Sequence, residues 1–331
     1  MLLSFYNSRR SIIDNKKLYR EFCEQRQIYV PLFQQYWWME AVCYDKQWDV
    51  ALAYSGGTLL GAMPYHYGRK MGITYIIEPQ LTQFSGPLYC YGELSGYSHR
   101  LEFEKNVARE LLRQVESVNP ALFLQNFSPQ VTNWLPFFWA GYRQSTRYTY
   151  RIDDIGDLDW VFASFDVEKR QKKIHKYEKS TMVRFDMRPE DFARFHCKYW
   201  NEKGKGDLLS EDFIKRVCSN ALERGQGVIA SLHDAENRLL SARFVAFDDR
   251  CAYSLMSAHD LSLHRSGHSE TLLWGLLKYL NGKVHSFDFE GSMDEGIEYF
   301  YRSFGAKQIP FFEISKTRGL SGLFLRLKQK R

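Results

Sequence analysis

One order of elements occurs twice in this 331-residue chain, and that recurrence constrains its fold more than any other feature. In the first copy, helix-compatible stretches at 15–26 and 34–43 precede a strand at 48–54. The pair Gly56-Gly57, able to take positive φ, turns the chain into a second strand at 59–67. A third strand covers 73–77. Ser98 opens a helix whose Phe103, Val107, Leu111, Leu112, Val115 and Val118 recur at helical spacing. A strand at 122–126, a short helix at 131–139 and a strand at 143–152 follow. In the second copy, Pro189 starts one helix and Ser210 caps another. Strands at 228–232, 238–247 and 251–259 come next. A leucine-striped helix at 269–280 leads to a strand at 284–290, a helix at 294–303 stopped by Gly305, and a last strand at 306–314.

Helices before three antiparallel strands, then helix and strand in alternation, predict an α/β fold with a mixed sheet. The length suits two domains, set here at 1–152 and 153–331, with 153–180 as a charged helical connector. Thr58-Leu59-Leu60-Gly61-Ala62 against Arg238-Leu239-Leu240-Ser241-Ala242 gives the repeat local support.

The six cysteines show neither CxxC spacing nor histidines at metal-site spacing, so no metal is expected and reduced, idle thiols are. The net charge of +6 suits an anionic ligand. No signal-peptide pattern opens the chain and no apolar run approaches the length of a membrane span, so a cytoplasmic protein is expected.

Several segments carry a resemblance to a known family. They are Gln34-Gln35-Tyr36-Trp37-Trp38, the loop Leu81-Thr82-Gln83-Phe84-Ser85-Gly86, the basic stretch 170–179, and Phe287-Asp288-Phe289-Glu290-Gly291-Ser292 with Phe300-Tyr301-Arg302-Ser303-Phe304-Gly305. With the element order, they resemble two tandem GNAT (acyl-CoA N-acyltransferase) domains of the FemABX type. The resemblance implies transfer of an acyl group from acyl-CoA or acetyl-CoA to an amine. Its second implication, ranked behind the first because Tyr301 departs from the signature, is an aminoacyl-tRNA donor with a peptidoglycan precursor as acceptor. A non-catalytic protein binding a nucleotide-sugar or peptide is the alternative from another class. The oligomeric state is not readable.

Candidate residues follow. Strand alternation over 284–290 puts Asp288 and Glu290 on one face, and buried carboxylates are costly unless they meet a partner, water or substrate. Glu290 is the first candidate for the base that frees the amine, with Asp288 second or, alternatively, paired with a structural arginine. Tyr301 stands where the FemABX signature carries a lysine, so its hydroxyl or Arg302 would serve the oxyanion. The resemblance implies a CoA pyrophosphate site at His264-Arg265-Ser266-Gly267-His268-Ser269, where a helix begins. A plain capped helix entry is the competing reading. Arg170, Lys173 and Tyr177 share a helix face, and the resemblance gives Arg170 a phosphate-binding role. His259, at a strand end, completes the candidates. Donor binding and transfer are expected of the second copy, and acceptor recognition of the first.

Overall fold

The computed structural model describes residues 14–25, 28–43, 47–206, 208–263, 265–291 and 293–329. The chain divides into two compact units, residues 1–147 with 310–331, and residues 148–309.

The first unit opens with helices α1 (Asn15–Gln25) and α2 (Tyr36–Val42), then strands β1 (Trp48–Ser55), β2 (Thr58–Lys70) and β3 (Ile73–Ile77). Gly56 and Gly57 both take positive φ, 56° and 85°, as the two-residue hairpin requires. A two-residue strand β4 (Leu88–Tyr89) pairs with β2. Helix α3 (Tyr97–Ser117) follows, and β5 (Leu122–Asn126) runs parallel to β3. Val107, Leu111, Leu112 and Val115 recur at three- and four-residue steps, and all are buried against Phe123, Phe127 and Phe137. A short helix α4 (Leu135–Trp139) leads into β6 (Arg143–Ile152), within which the second unit begins.

The second unit continues with α5 (Leu158–Ala163), a π-helical turn at Val167–Gln171, α6 (Lys172–Glu178), and a three-residue strand β7 (Met182–Arg184). Helices α7 (Pro189–Glu202) and α8 (Glu211–Glu223) come next, the latter capped by Ser210, whose hydroxyl accepts from the Phe213 amide. Strands β8 (Gly227–His233), β9 (Leu239–Phe247) and β10 (Cys251–His259) form an antiparallel run. Helix α9 (His268–Leu280) returns the chain to β11 (Ser286–Asp288), parallel to β10 and antiparallel to the end of β6. Helix α10 (Glu295–Arg302) is capped by Asp294, and β12 (Lys307–Thr317) follows. Leu272, Leu273, Leu276, Leu277 and Leu280 of α9 pack with Val228, Ala230, Leu232, Val245 and Phe287 in one core.

From residue 310 onward β12 belongs to the first unit, where it pairs antiparallel with β5 before helix α11 (Gly319–Gln329) ends the described chain. The expected α/β class with a large mixed sheet holds. Each unit by itself repeats three antiparallel strands, a helix and a parallel strand.

The expected helical connector consists of two helices joined by the π turn, and the structure differs from the sequence reading in two local respects. Helix α11 lies beyond the repeat that the sequence reading followed. The strand expected at 284–290 is only Ser286–Asp288, because Glu290 takes φ 66°, a left-handed conformation incompatible with a continuing strand. Strand alternation therefore does not place Glu290 beside Asp288.

Candidate functional site

Two polar clusters form in the second unit. The first is built where α6 packs on the start of α9. Arg170, in the π turn, is buried; its Nη1 donates to Glu270 Oε1 at 2.8 Å and its Nε to Ser303 Oγ at 2.8 Å. Its guanidinium lies over the Phe300 and Phe304 rings, 4.4 and 4.9 Å from their centroids. Lys173, one turn on, donates to Ser266 Oγ at 2.6 Å and lies 3.4 Å from Glu270 Oε1. Tyr177 stands edge-on to His268, centroids 4.6 Å apart.

These contacts explain Gly267. It sits at φ 115°, and a Cβ there would come within 2.6 Å of the Tyr177 ring. The sequence-predicted basic face (Arg170, Lys173, Tyr177) and the predicted loop (Arg265, Ser266, Gly267, His268, Ser269) are thus one assembly; His264 lies outside the described residues. Its centre is Glu270, which sequence reasoning passed over. The Glu270 carboxylate accepts the Gly267 amide at 3.0 Å and takes both cations on its other oxygen. An acid at the third position of a helix beginning at glycine was the available signal. The Arg265 amide donates to His268 Nδ1 at 3.1 Å, and the His268 amide to the Arg265 carbonyl at 3.0 Å. The helix entry therefore already holds a carboxylate, and three of its loop amides are engaged.

The second cluster surrounds β11. Asp288 is fully buried. Its Oδ1 accepts from Thr149 Oγ1 at 2.5 Å and from the Glu290 amide at 2.9 Å. Its Oδ2 accepts from Arg151 Nε and Nη2 at 3.1 and 2.9 Å. Burial alone disfavours the Arg151 charge, yet the Asp288 carboxylate outweighs it and holds the guanidinium above its usual value. Four donors on one carboxylate leave Asp288 with a structural pairing, the alternative weighed above.

Glu290 differs. Its carboxylate makes no hydrogen bond or ion pair among the described residues. Burial, and then the neighbouring Asp288 charge, push it well above the usual carboxylate range. Tyr301 of α10 packs on Phe289 and Tyr150, centroids 5.0 and 5.9 Å away. Burial pushes its hydroxyl up to about 12; Arg243 opposes the shift, and Glu290 and Asp288 add to it. Its hydroxyl therefore stays protonated near neutrality, and it has no protein partner among the described residues.

Arg243 is the second residue that sequence reasoning missed. It is the one charge within the otherwise apolar strand β9, and a lone buried charge is a signal in itself. Its Nη1 donates to Ser254 Oγ at 2.5 Å, and among the described residues its Nε is enclosed without a partner and no carboxylate pairs with it. Burial lowers its affinity for a proton, while Tyr301 and then Glu270 act against that shift. Pairing of Ser241 with His259 and of Arg243 with Ser257 puts His259 on the same sheet face. His259 Nδ1 meets Ser241 Oγ at 2.6 Å. Arg302 is not drawn in: it is exposed and donates to Glu298 at 2.9 Å. Among the described residues no group of His, Cys, Asp and Glu could hold a metal ion. No helix among them is long and apolar enough to cross a membrane.

Residues 166–300 match the model of the acetyltransferase (GNAT) domain family. No curated protein sequence matches the chain. Among solved structures, that of FemX superposes with a TM-score of 0.66 at 13% identity, covering 90% of this chain and 95% of FemX. L-PGS from Bacillus licheniformis gives 0.59 at 11% identity, covering 97% and 98%. The C-terminal domain of a putative lysylphosphatidylglycerol synthetase from Agrobacterium fabrum gives 0.59 at 10% identity, covering 95% and 96%. These likenesses show that the chain shares the fold of FemX and L-PGS, and the domain match over 166–300 supports an acyltransferase.

Proposed function

We propose that the chain is an N-acyltransferase that moves an acyl group to an amine by direct attack, with Glu290, Tyr301 and Arg243 serving the transfer. Donor binding and transfer fall to the second unit, residues 148–309, and acceptor recognition to the first. The observation that carries this reading is the Glu290 carboxyl, raised and unpartnered among the described residues, one residue on from Phe289, against whose ring Tyr301 packs.

An acceptor amine binds as an ammonium and must lose a proton before it attacks. A carboxylate raised above its ordinary range is a better acceptor for that proton than an ordinary one. The amine nitrogen then bonds to the acyl carbon, and the carbonyl electrons move to oxygen. Tyr301, kept protonated by burial, donates to this oxyanion, and the unpaired Arg243 charge stabilises it. Collapse breaks the bond to the carrier, the proton held by Glu290 passes to the leaving group, and the freed carboxylate takes the second proton from the new amide nitrogen and releases it to water.

Acyl-CoA is the donor that the GNAT domain suggests, with a small amine or a cell-wall precursor as acceptor. One observation favours a second reading, a donor such as aminoacyl-tRNA. The start of α9 already holds the Glu270 carboxylate on the Gly267 amide, and a pyrophosphate there would meet a like charge. Acyl-CoAs and aminoacyl-tRNAs, each offered with amine and UDP-linked muropeptide acceptors and followed by mass spectrometry, separate the two. Transfer from either, lost in Glu290→Gln and weakened in Tyr301→Phe, supports the reading. Unchanged turnover in both variants overturns the site assignment. Muropeptide binding without transfer from any donor returns the non-catalytic alternative.

A further inference from the structure

The Tyr301 hydroxyl can serve an oxyanion only if the helix that carries it is held in one place. Helix α10 is two turns long, and none of its residues is fully buried. A helix of that length has little stability of its own, so its packing sets its position. Asp294 fixes the first turn by accepting the Ile297 amide at 3.0 Å. What fixes the last turn comes from more than a hundred residues earlier in the chain.

That partner is the end of α5 with the π turn. The Asp166 amide donates to the Ser303 carbonyl at 2.9 Å, and Arg170 Nε to Ser303 Oγ at 2.8 Å. Phe165 meets Phe304 edge-on, centroids 5.0 Å apart. Gly305, at φ 70°, lies so close that a Cβ would come within 2.3 Å of Ser164 Oγ. The Arg170 guanidinium covers the rings of Phe300 and Phe304. Phe304 in turn packs on Phe289 at 5.7 Å, the same ring that meets Tyr301.

The same guanidinium also reaches α9. Its Nη1 lies on Glu270, whose other oxygen accepts the Gly267 amide. A planar group with donors in fixed directions thus ties the first turn of α9 to the last turn of α10. π-helical turns are rare and recur at functional sites. Within this one Arg170 is 5% exposed, while Lys169 and Lys172 on either side face solvent. We infer that Arg170 is a positioning residue for acyl transfer: it sets α10 so that the Tyr301 hydroxyl meets the oxyanion, and it binds no substrate phosphate itself. The inference rests on the role proposed for Tyr301.

Arg170→Met keeps the enclosed volume apolar and leaves Glu270 with Lys173 and the Gly267 amide. Kinetics are measured with the donor and acceptor that the parent uses. Misplacement of Tyr301 is expected to lower kcat about tenfold or more. KM for both substrates is expected to stay within about twofold, because no substrate contact is removed. In a Tyr301→Phe background the same substitution is expected to cost less than about twofold further, since the two residues act in series. The rise of rate with pH is expected to be unaltered, because burial and Asp288 set the Glu290 ionisation. Hydrogen exchange followed by mass spectrometry is expected to quicken over 295–305. Ser303→Ala removes one hydroxyl and is expected to show the same pattern more weakly, which keeps the test decisive where Arg170→Met folds poorly. Unchanged kcat in both variants overturns the inference, as does full additivity with Tyr301→Phe. A raised KM for a phosphate-bearing substrate at normal kcat assigns Arg170 to substrate binding instead. Unchanged turnover in Tyr301→Phe alone, or no transfer by the parent, removes the proposed function and this inference with it. A loss in Tyr301→Phe with none in Arg170→Met removes the inference only.

Discussion

The Asp288 carboxylate accepts the backbone amide of Glu290 at 2.9 Å while Glu290 holds φ 66°. A non-glycine residue in that conformation costs about 1–2 kcal/mol, and the bond across two residues fixes it there. Strand β11 ends at this point, and the turn decides where the Glu290 side chain goes. Asp288 is therefore a positioning residue. Asp288→Asn keeps the shape but leaves Arg151 without its counter-charge. Breaking one partner of such a pair costs about 3 kcal/mol, to be read by urea denaturation. The expected kinetic loss falls on kcat more than KM, because substrate contacts are not removed. Full activity in this variant, with or without the stability loss, would remove the positioning role.

Glu290 is raised in the folded protein, so its base form appears only as pH climbs through that raised value. Transfer is expected to increase as pH rises through that raised value and to level off above it, with one ionisation controlling the rise. Glu290→Gln is expected to lower kcat about 10²- to 10⁴-fold, the usual range for a positioned base, and to abolish the rise. The stability sign is opposite. Neutral Glu290 costs the fold nothing below its unfolded value, and stability is lost as pH rises toward the folded one. Glu290→Gly removes both the buried charge and the backbone strain, so it is expected to be no less stable than the parent at pH 8 while losing transfer. A pH-rate profile unaltered by Glu290→Gln would count decisively against the base.

Arg243 and Tyr301 are expected to act on the same developing charge. Tyr301→Phe removes one donor, for which losses of about 10²–10³ in kcat are typical. Arg243→Met removes a buried charge that has no carboxylate partner among the described residues, and with it an enclosed Nε that has none among them either. The fold is expected to tolerate it or gain stability in thermal melts, while kcat falls. A destabilised variant of normal kcat would make Arg243 structural instead.

Gly267 offers a purely steric check on the first cluster. Gly267→Ala puts a methyl group 2.6 Å from the Tyr177 ring at φ 115°. Overpacking of this kind costs about 1–3 kcal/mol, and the left-handed backbone adds to it. Adding Tyr177→Ala should recover the steric share of the lost Tm but not the backbone share. If the double variant recovers nothing, α6 does not brace the start of α9.

The element order was legible because turn glycines, caps and apolar spacing act locally: Gly56-Gly57, Ser210 and the leucines of α9 needed no tertiary information. The carboxylates at 288 and 290 were found as a pair, but their division of labour was not. Strand alternation predicted one face for both, whereas the positive φ of Glu290 depends on a hydrogen bond with Asp288 that no periodicity encodes. Arg151 and Thr149, which bind Asp288, come from β6, more than a hundred residues away in sequence. Glu270 and Arg243 had signals, a capping position and a lone charge in an apolar strand. Their meaning depends on neighbours that only the fold supplies.

The loop that joins β3 to β4 predicts a pH effect in the first unit. Glu78, just after β3, accepts the Ser85 hydroxyl at 2.7 Å and the Asn126 amide at 2.6 Å on one oxygen, while the other is buried without a partner. Burial outweighs those two hydrogen bonds and pushes the carboxyl up to about 8. Its unfolded value is the ordinary 4.5. Below 4.5 the carboxyl is neutral in both states and its contribution to stability is complete. Between 4.5 and about 8 the unfolded chain ionises it and the folded chain does not, so stability falls as pH rises. At 1.36 kcal/mol for each pH unit, the full loss is about 5 kcal/mol. Glu78→Gln retains the accepting oxygen and cannot ionise. It is expected to match the parent near pH 5 and to exceed it in stability at pH 8. Denaturant midpoints for both proteins at pH 5, 6.5 and 8 check this, and parallel profiles would mean that Glu78 is ionised in the fold and that an unrecognised donor meets its second oxygen.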